Sequence, residues 1–459
     1  MATLDLSDLP LLGARGRGRG RALALAGPIA LVTAGCLGIL LLTRRSLSSD
    51  EAVAVERARA PFRDLVERAV DHDPGTLGYL ALLHPLVEWN DSEWAVRTPS
   101  VVAAALAALF GYLLGRALFG RIAGAIAGLA LALDAGVVAS SQQVRPYALA
   151  ILAILVSTLL LVLALDRSAL WWIAYVPACA ALSLTHPIAA TVVVAHVVAA
   201  VLALRETRAS VAAAAAALAL GAAAAAPLTL AALADRADAW KGARLDPGEV
   251  ATGLGRAAGW NVALAGLAVL GLFVLLSGRL PGALPWQAAL VVGLIAAPLV
   301  GVLLAATFMP VFPARALVVC APGLAVACGA GVAWIPDRRL ALGAAGALAV
   351  LAVPALVGWY TSPAPEDWRS AVATAGREVE PGETVVVIPP RSAAAVAYYD
   401  PELRLSSRGR GAGTWVFVRS SDDRGAIRAA RAVVRTPAYA LLSQERYGER
   451  LVLQHWVRP

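Results

Sequence analysis

The sequence predicts a mainly α fold: a polytopic membrane helical bundle followed by a small C-terminal α/β domain. Three observations predict it. The 459 residues are 59% hydrophobic and only 15% charged, whereas soluble domains carry about 25% charged residues. The apolar residues gather in runs of about 20, the length that crosses a hydrocarbon core as a helix. The runs stop near residue 360, after which charged residues return in a mixture of helical and strand patterns.

Taken in order, residues 1–21 are polar, rich in Gly and Arg, and read as a cytoplasmic tail. The first span, 22–43, is too long for a cleaved signal, and no small-x-small site follows it. A large outer loop follows over 44–97. Within it Val53, Phe62, Leu65 and Val66 form an apolar stripe, which predicts one interfacial helix running from Glu56 to Ala69. The run 76–89 is short for a span and reads as a juxtamembrane helix. Arg97-Thr98-Pro99-Ser100 predicts the start of the next helix, with proline near its first turn.

Ten further spans are expected, at 100–115, 122–138, 147–165, 169–185, 187–204, 209–233, 259–277, 284–308, 314–334 and 340–358, about eleven in all. The positive-inside rule supports this layout. With the N-terminus inside, the cytoplasmic connections carry Arg116 and Arg121, Arg167, Arg205 and Arg208, Arg279, and Arg338 and Arg339. An odd number of spans puts the C-terminus outside. The chain thus divides into a transmembrane domain over 22–360 and an extracytoplasmic domain over 361–459. In the latter, helices are expected at 366–379, 392–398 and 423–434, and strands at 384–388, 414–419 and 451–457.

The net charge of +8 comes with short-loop arginines that set topology, so no nucleic-acid partner is expected. Cys36, Cys179, Cys320 and Cys328 all lie in apolar spans. They read as small core residues, with no disulfide and no thiolate metal site.

Against this apolar background the outer face collects polar side chains. Asp50 and Glu51 follow the first span, His72 and Asp73 lie in the loop, and Arg97 begins the second span. Gln142, Gln143, Arg145 and Tyr147 sit between spans 3 and 4, His186 between spans 5 and 6, and Arg315 at the outer end of span 10. Carboxylates this close to hydrocarbon need partners, a metal or a wet cavity. Arginines at outer ends oppose the topology bias, and a bound anion accounts for them, because a guanidinium fork matches phosphate oxygens. The carboxylates supply the other half, a base or a metal ligand. Asp50 and Glu51 are the candidates for a divalent metal ion, although their spacing is not a ligand signature. Each residue alone has a structural reading: a solvated Asp-Glu pair, an arginine reaching to head groups, a histidine at a helix end. Their gathering on one face favours chemistry.

The ordered series resembles the integral-membrane glycosyltransferases of the GT-C superfamily. It is most similar to the family 39-like branch of protein O-mannosyltransferases and aminoarabinose lipid A transferases. The pieces that carry the resemblance are Ser49-Asp50-Glu51, Asp73-Pro74-Gly75-Thr76-Leu77-Gly78-Tyr79-Leu80-Ala81-Leu82-Leu83-His84, Asp91-Ser92-Glu93-Trp94-Ala95-Val96-Arg97-Thr98-Pro99-Ser100, Tyr112-Leu113-Leu114-Gly115-Arg116-Ala117-Leu118-Phe119-Gly120-Arg121, Ser141-Gln142-Gln143-Val144-Arg145-Pro146-Tyr147-Ala148-Leu149 and Thr185-His186-Pro187. The resemblance is dense over 46–190 and thinner up to Pro313-Ala314-Arg315; Glu366-Asp367-Trp368-Arg369 is similar to the outer tail of bacterial members.

The resemblance implies a GT-C bundle in the cell membrane and a polyprenyl-phosphate sugar donor. It further implies transfer, of mannose or arabinose for example, to a hydroxyl of a cell-envelope glycan, lipid or protein. Asp50 would be the base with Glu51 assisting. Arg145, Arg315, Gln142 and Tyr147 would hold the donor phosphate, and His72, Asp73, Arg97, Gln143 and His186 would complete the site. Relatives commonly carry Gln-Glu where this chain has Gln142-Gln143, and often Pro or bulkier residues at Gly75-Thr76. The alternative is a transporter or flippase for a lipid-linked anion. That would place charges near the midplane, where Asp134 is the notable one. A third reading is a non-catalytic scaffold whose tail binds a partner.

Overall fold

A run without charged residues can satisfy its backbone in hydrocarbon only as a helix or a closed barrel, and the computed structural model places these runs in helices. It describes residues 25–72, 74–205, 211–239, 247–308, 314–409, 412–420, 422–434 and 439–458. Helix α1 (Ala26–Ile39) precedes three helices of the first polar loop, α2 (Ser49–Ala58), α3 (Phe62–His72) and α4 (Leu77–Trp89). Next come α5 (Glu93–Leu133), α6 (Ala135–Ser141), α7 (Tyr147–Asp166), α8 (Trp171–Thr185), α9 (Pro187–Ala190), α10 (Val192–Ala203) and α11 (Val211–Ala239). The bundle ends with α12 (Pro247–Ala257), α13 (Val262–Leu276), α14 (Pro285–Phe308), a 3₁₀ segment (Ala314–Cys320), α15 (Ala321–Trp334) and α16 (Arg338–Thr361).

By length and composition, five described stretches can cross a membrane: α5, α7, Pro285–Leu304, Ala314–Trp334 and α16. The pair α12 and α13, bent by 90°, would make a sixth. Shorter apolar helices accompany them, with α1 packed along α5 and α8 along α7. All four cysteines are free.

Helix α5 holds two of the expected spans as antiparallel arms. Gly120 separates them at φ 88°, a backbone region that side chains other than glycine avoid. The arms meet on small residues: a Cβ on Gly124 would stand 2.5 Å from the Tyr112 carbonyl oxygen. Arg97 and Pro99, expected to open this helix, lie one turn further in, because the chain enters it from Ser92. The single helix expected over 56–69 is two, α2 and α3. The break falls at Ala60-Pro61, where proline disfavours helical backbone in the residue before it.

The tail contains α17 (Trp368–Glu378), β1 (Thr384–Ile388), α18 (Ala393–Tyr399), β2 (Gly413–Arg419), α19 (Asp423–Val434), β3 (Ala440–Arg446) and β4 (Leu451–Val457). The sheet order is β1-β2-β4-β3, with β1 parallel to β2 and the other pairs antiparallel. Alternation along the strands feeds two cores. Val385, Val387, Trp415 and Phe417 face α17 and α18, while Val386, Val416 and Val418 face α19. Ala52 of α2 belongs to the first of these cores, so the tail and the start of α2 pack as one body. Strand β3 has no counterpart among the expected elements. It is an edge strand, exposed along most of its length, and carries no apolar alternation to read.

Candidate active site

The site is built on the first turn of α2. Ser48 caps the helix, and Glu51 three residues on returns the bond: its Oε2 accepts from the Ser48 amide at 2.9 Å and the Ser48 hydroxyl at 2.8 Å. This reciprocal cap satisfies amides that a helix start leaves open. The other Glu51 oxygen, Oε1, accepts from the Val144 amide at 2.9 Å and from Arg97 Nε and Nη2, both at 3.4 Å. Arg97 also donates to the carbonyls of Leu42, Arg45 and Ser46 at 2.7, 2.9 and 3.2 Å. The two side chains are 2% and 6% exposed. Arg97 and Glu51 therefore form a nearly buried, fully partnered node in the cavity wall that ties α5 and the segment before α7 to the chain leaving α1.

Asp50 is different. Its Oδ2 pairs with Arg145, and with Arg315 Nη1 at 3.4 Å, while Arg419 Nη1 lies 3.6 Å from Oδ1. The Asp50 and Arg145 side chains are each 21% exposed. Burial pushes the Asp50 carboxyl up, but the guanidiniums of Arg145, Arg315, Arg419 and Arg391 outweigh it and hold it below the usual carboxylate range. These groups open on a cavity of about 800 Å³ that is also lined by Tyr147, Gln143 and Arg256.

The remaining expected residues take five placements, and Gln142, Glu51 and Arg97 also reach the cavity wall. Gln143 and Tyr147 line the cavity, and Tyr147 bonds Arg315. Gln142, expected at the phosphate, uses its amide nitrogen on the Leu37, Gly38 and Leu40 carbonyls at 3.4, 3.1 and 2.7 Å, and its oxygen accepts from the Trp359 indole at 2.7 Å. It closes the end of α1. His186 stands behind Tyr147, with ring centroids 5.3 Å apart, and its Nδ1 accepts from the Ile188 amide at 3.2 Å. Glu51 and Arg97 are placed beneath Asp50 as described. His72 ends α3, but its side chain, like the whole of Asp73, lies outside the described residues.

Three residues at the site were not among the expected ones. Arg256, from α12, lines the cavity with no ion-pair partner among the described residues. Arg419 comes from the end of β2. Glu366 is 3% exposed; its Oε1 accepts from Arg419 Nε at 2.6 Å, and its Oε2 from the Ser49 amide at 3.0 Å and the Trp368 indole at 2.9 Å. Asp50 and Glu51, the candidates for a divalent cation, have other partners in this structure. Guanidiniums surround the first, and both oxygens of the second are taken by N–H and O–H donors. Among the described residues no group of three or more His, Cys, Asp or Glu forms a ligand set.

This architecture has solved counterparts. The chain matches ArnT from Cupriavidus metallidurans in its apo state at a TM-score of 0.60 and 13% identity, over 95% of this chain and 98% of that one. The same protein bound to undecaprenyl phosphate matches at a TM-score of 0.58 and 13% identity, over the same shares. The fold is that of the GT-C glycosyltransferases. The sequence model of the dolichyl-phosphate-mannose-protein mannosyltransferase family matches residues 71–231, from α3 into α11. No curated protein matches the chain. With the GT-C fold and its apolar helices, the chain is a multi-pass membrane protein.

Proposed function

We propose that the protein is a membrane glycosyltransferase that moves a sugar from a polyprenyl-phosphate donor to an acceptor hydroxyl at the extracytoplasmic face of the cell membrane. The observation that carries this reading is the convergence of Arg145 and Arg315 on Asp50 in an open cavity of the GT-C fold. The undecaprenyl phosphate bound to ArnT and the partial match to the mannosyltransferase family support the same class of donor.

The chemistry follows from the charges. The donor is a phosphodiester with one negative charge, and its departing phosphate gains a second. Arg145, Arg315 and Arg256 stabilise that added charge, which is where fixed cations contribute most. Asp50 takes the proton of the acceptor hydroxyl as its oxygen bonds the anomeric carbon and the bond from that carbon to the phosphate oxygen breaks. The donor phosphate competes with Asp50 for the same guanidiniums, so donor binding releases the carboxylate to act as a base. The acceptor is a cell-envelope glycan, lipid or protein, and mannose and arabinose are the first sugars to test.

The test is transfer by purified protein in lipid with a panel of radiolabelled polyprenyl-phosphate sugars and a cell-envelope extract as acceptor. Wild type should transfer, whereas Asp50→Asn and Arg145→Ala should not. Unchanged transfer by Asp50→Asn would sink the base assignment. Lipid-phosphate binding that depends on Arg145, with no transfer from any donor, would favour a transporter.

A further inference from the structure

Arg419 is far from Asp50 in sequence and belongs to the tail, yet its guanidinium faces the Asp50 carboxylate. Its Nη1 is 3.6 Å from Asp50 Oδ1, whereas Arg145 and Arg315 both sit on Oδ2. An arginine has several free torsions, and something must hold it there. Glu366, 3% exposed, accepts from Arg419 Nε at 2.6 Å and from the amide of Ser49, the residue before Asp50, at 3.0 Å. One buried carboxylate thus ties the tail's guanidinium to the backbone that carries Asp50. Ser49 is also held to the tail through its hydroxyl, 2.8 Å from that of Ser392.

We infer that Arg419, held by Glu366, is a positioning residue for Asp50: the tail supplies the cation that fixes the oxygen Arg145 leaves free. This rests on the reading of Asp50 as the reacting carboxylate. A donor phosphate that draws Arg145 and Arg315 away would otherwise leave Asp50 free to rotate. Arg419, anchored from the opposite side, keeps it ionised and aimed. The tail is on this account part of the active site and not an appended module.

The groups facing Asp50 are Arg145 from the segment before α7, Arg315 from the 3₁₀ segment, Arg391 from the turn before α18, Arg419 from β2, and Glu51 and Glu366 with their own partners. Removing Arg419 leaves three guanidiniums and raises the Asp50 pKa. The direct readout is covalent labelling of Asp50 by dicyclohexylcarbodiimide, which reacts with the protonated carboxyl, followed by peptide mass spectrometry on the full chain in lipid at pH 5–6. Loss of a nearby opposite charge raises a carboxyl's pKa and with it the protonated fraction at a fixed pH, so Arg419→Gln should label about tenfold faster than wild type. Arg419→Lys keeps the charge and should stay near wild type. Arg369→Gln breaks the tail's ion pair to Glu93 without touching Asp50, and should leave labelling unchanged. Equal rates for Arg419→Gln and wild type would overturn the inference, and so would equal acceleration by Arg369→Gln, which would mean mere loosening of the tail. The readout needs no sugar donor, so it fails separately from the transfer assay.

Discussion

Asp50 and Glu51 are adjacent carboxylates on one helical turn, yet they sit in two different regions of the protein's electrostatics. Glu51 lies in a nearly buried node of the same cavity wall, where each oxygen is taken by donors that cannot leave: two backbone amides, a cap hydroxyl and a 2%-exposed arginine. Asp50 lies at a wet cavity wall among arginines that an incoming anion can draw away. Removing one partner of a buried pair leaves a buried charge, which is costly, so such pairs serve the fold. A carboxylate whose partners can be exchanged remains available for chemistry. Burial separates the two only modestly; the permanence of the partners separates them further.

The largest expected effect breaks this comparison on the Asp50 side. Asp50→Asn should reduce transfer by about 10²–10⁴-fold, the usual contribution of a positioned base, with a smaller loss of thermal stability than at the Glu51 node. Since the carboxyl titrates below its ordinary range, its ionised form persists as pH falls. In kcat/KM, which reports the donor-free enzyme, activity limited by this group should hold through pH 5 and decline only below about pH 4. The stabilisation from its ion pairs follows the same sign: it is present above the ordinary carboxylate range and lost as pH falls below it. A decline centred near pH 6 would show that another group limits the rate.

The next effect lies on the Glu51 side and should appear as stability. Arg97→Ala or Glu51→Ala leaves a buried partner uncompensated, a loss of about 3–5 kcal/mol. The measurement is denaturation in detergent. A stable Glu51→Ala protein with abolished transfer would instead place Glu51 in the chemistry. Smaller again is Arg145→Ala, which removes a charge-assisted contact of about 1.5–3 kcal/mol. It should weaken undecaprenyl phosphate binding by about 10- to 150-fold, measured in nanodiscs. Unchanged binding would remove Arg145 from the phosphate site.

Much of this was legible in the sequence because membrane solvation leaves few choices. Among the described residues the expected apolar runs fall mostly on helix, and the tail strands over 384–388 and 451–457 have their expected limits. Asp50, Arg145 and Arg315 stood out because charge near hydrocarbon is conspicuous. The separate surroundings of Asp50 and Glu51 were not read, although a signal was present: Ser48 followed three residues later by Glu51 is a capping pattern. Gln142 was conspicuous for the same reason as Arg145, yet its partners are carbonyls at the end of α1, which no spacing reveals. Arg419 belongs to a domain where charges are ordinary, so nothing marked it, and Glu366 was read only as part of a tail motif and not as a site residue. Their importance arises from the packing of the tail on α2, a contact between segments more than 300 residues apart.

The smallest expected effect tests whether the two regions are separable. Ser48 both donates to Glu51 and accepts from its amide, at 2.8 and 3.4 Å. Ser48→Ala therefore loosens the turn that carries both carboxylates while leaving every charge in place. A lost cap costs about 1 kcal/mol. Glu51 keeps Arg97 and the Val144 amide, so the node should hold and the turn should fray only slightly. Transfer should fall less than tenfold, with a matching small loss of stability, and Ser48→Thr should restore both. If Ser48→Ala removed transfer as completely as Asp50→Asn with no loss of stability, the cap would be setting the aim of Asp50. The buried node and the exchangeable carboxylate would then be one device.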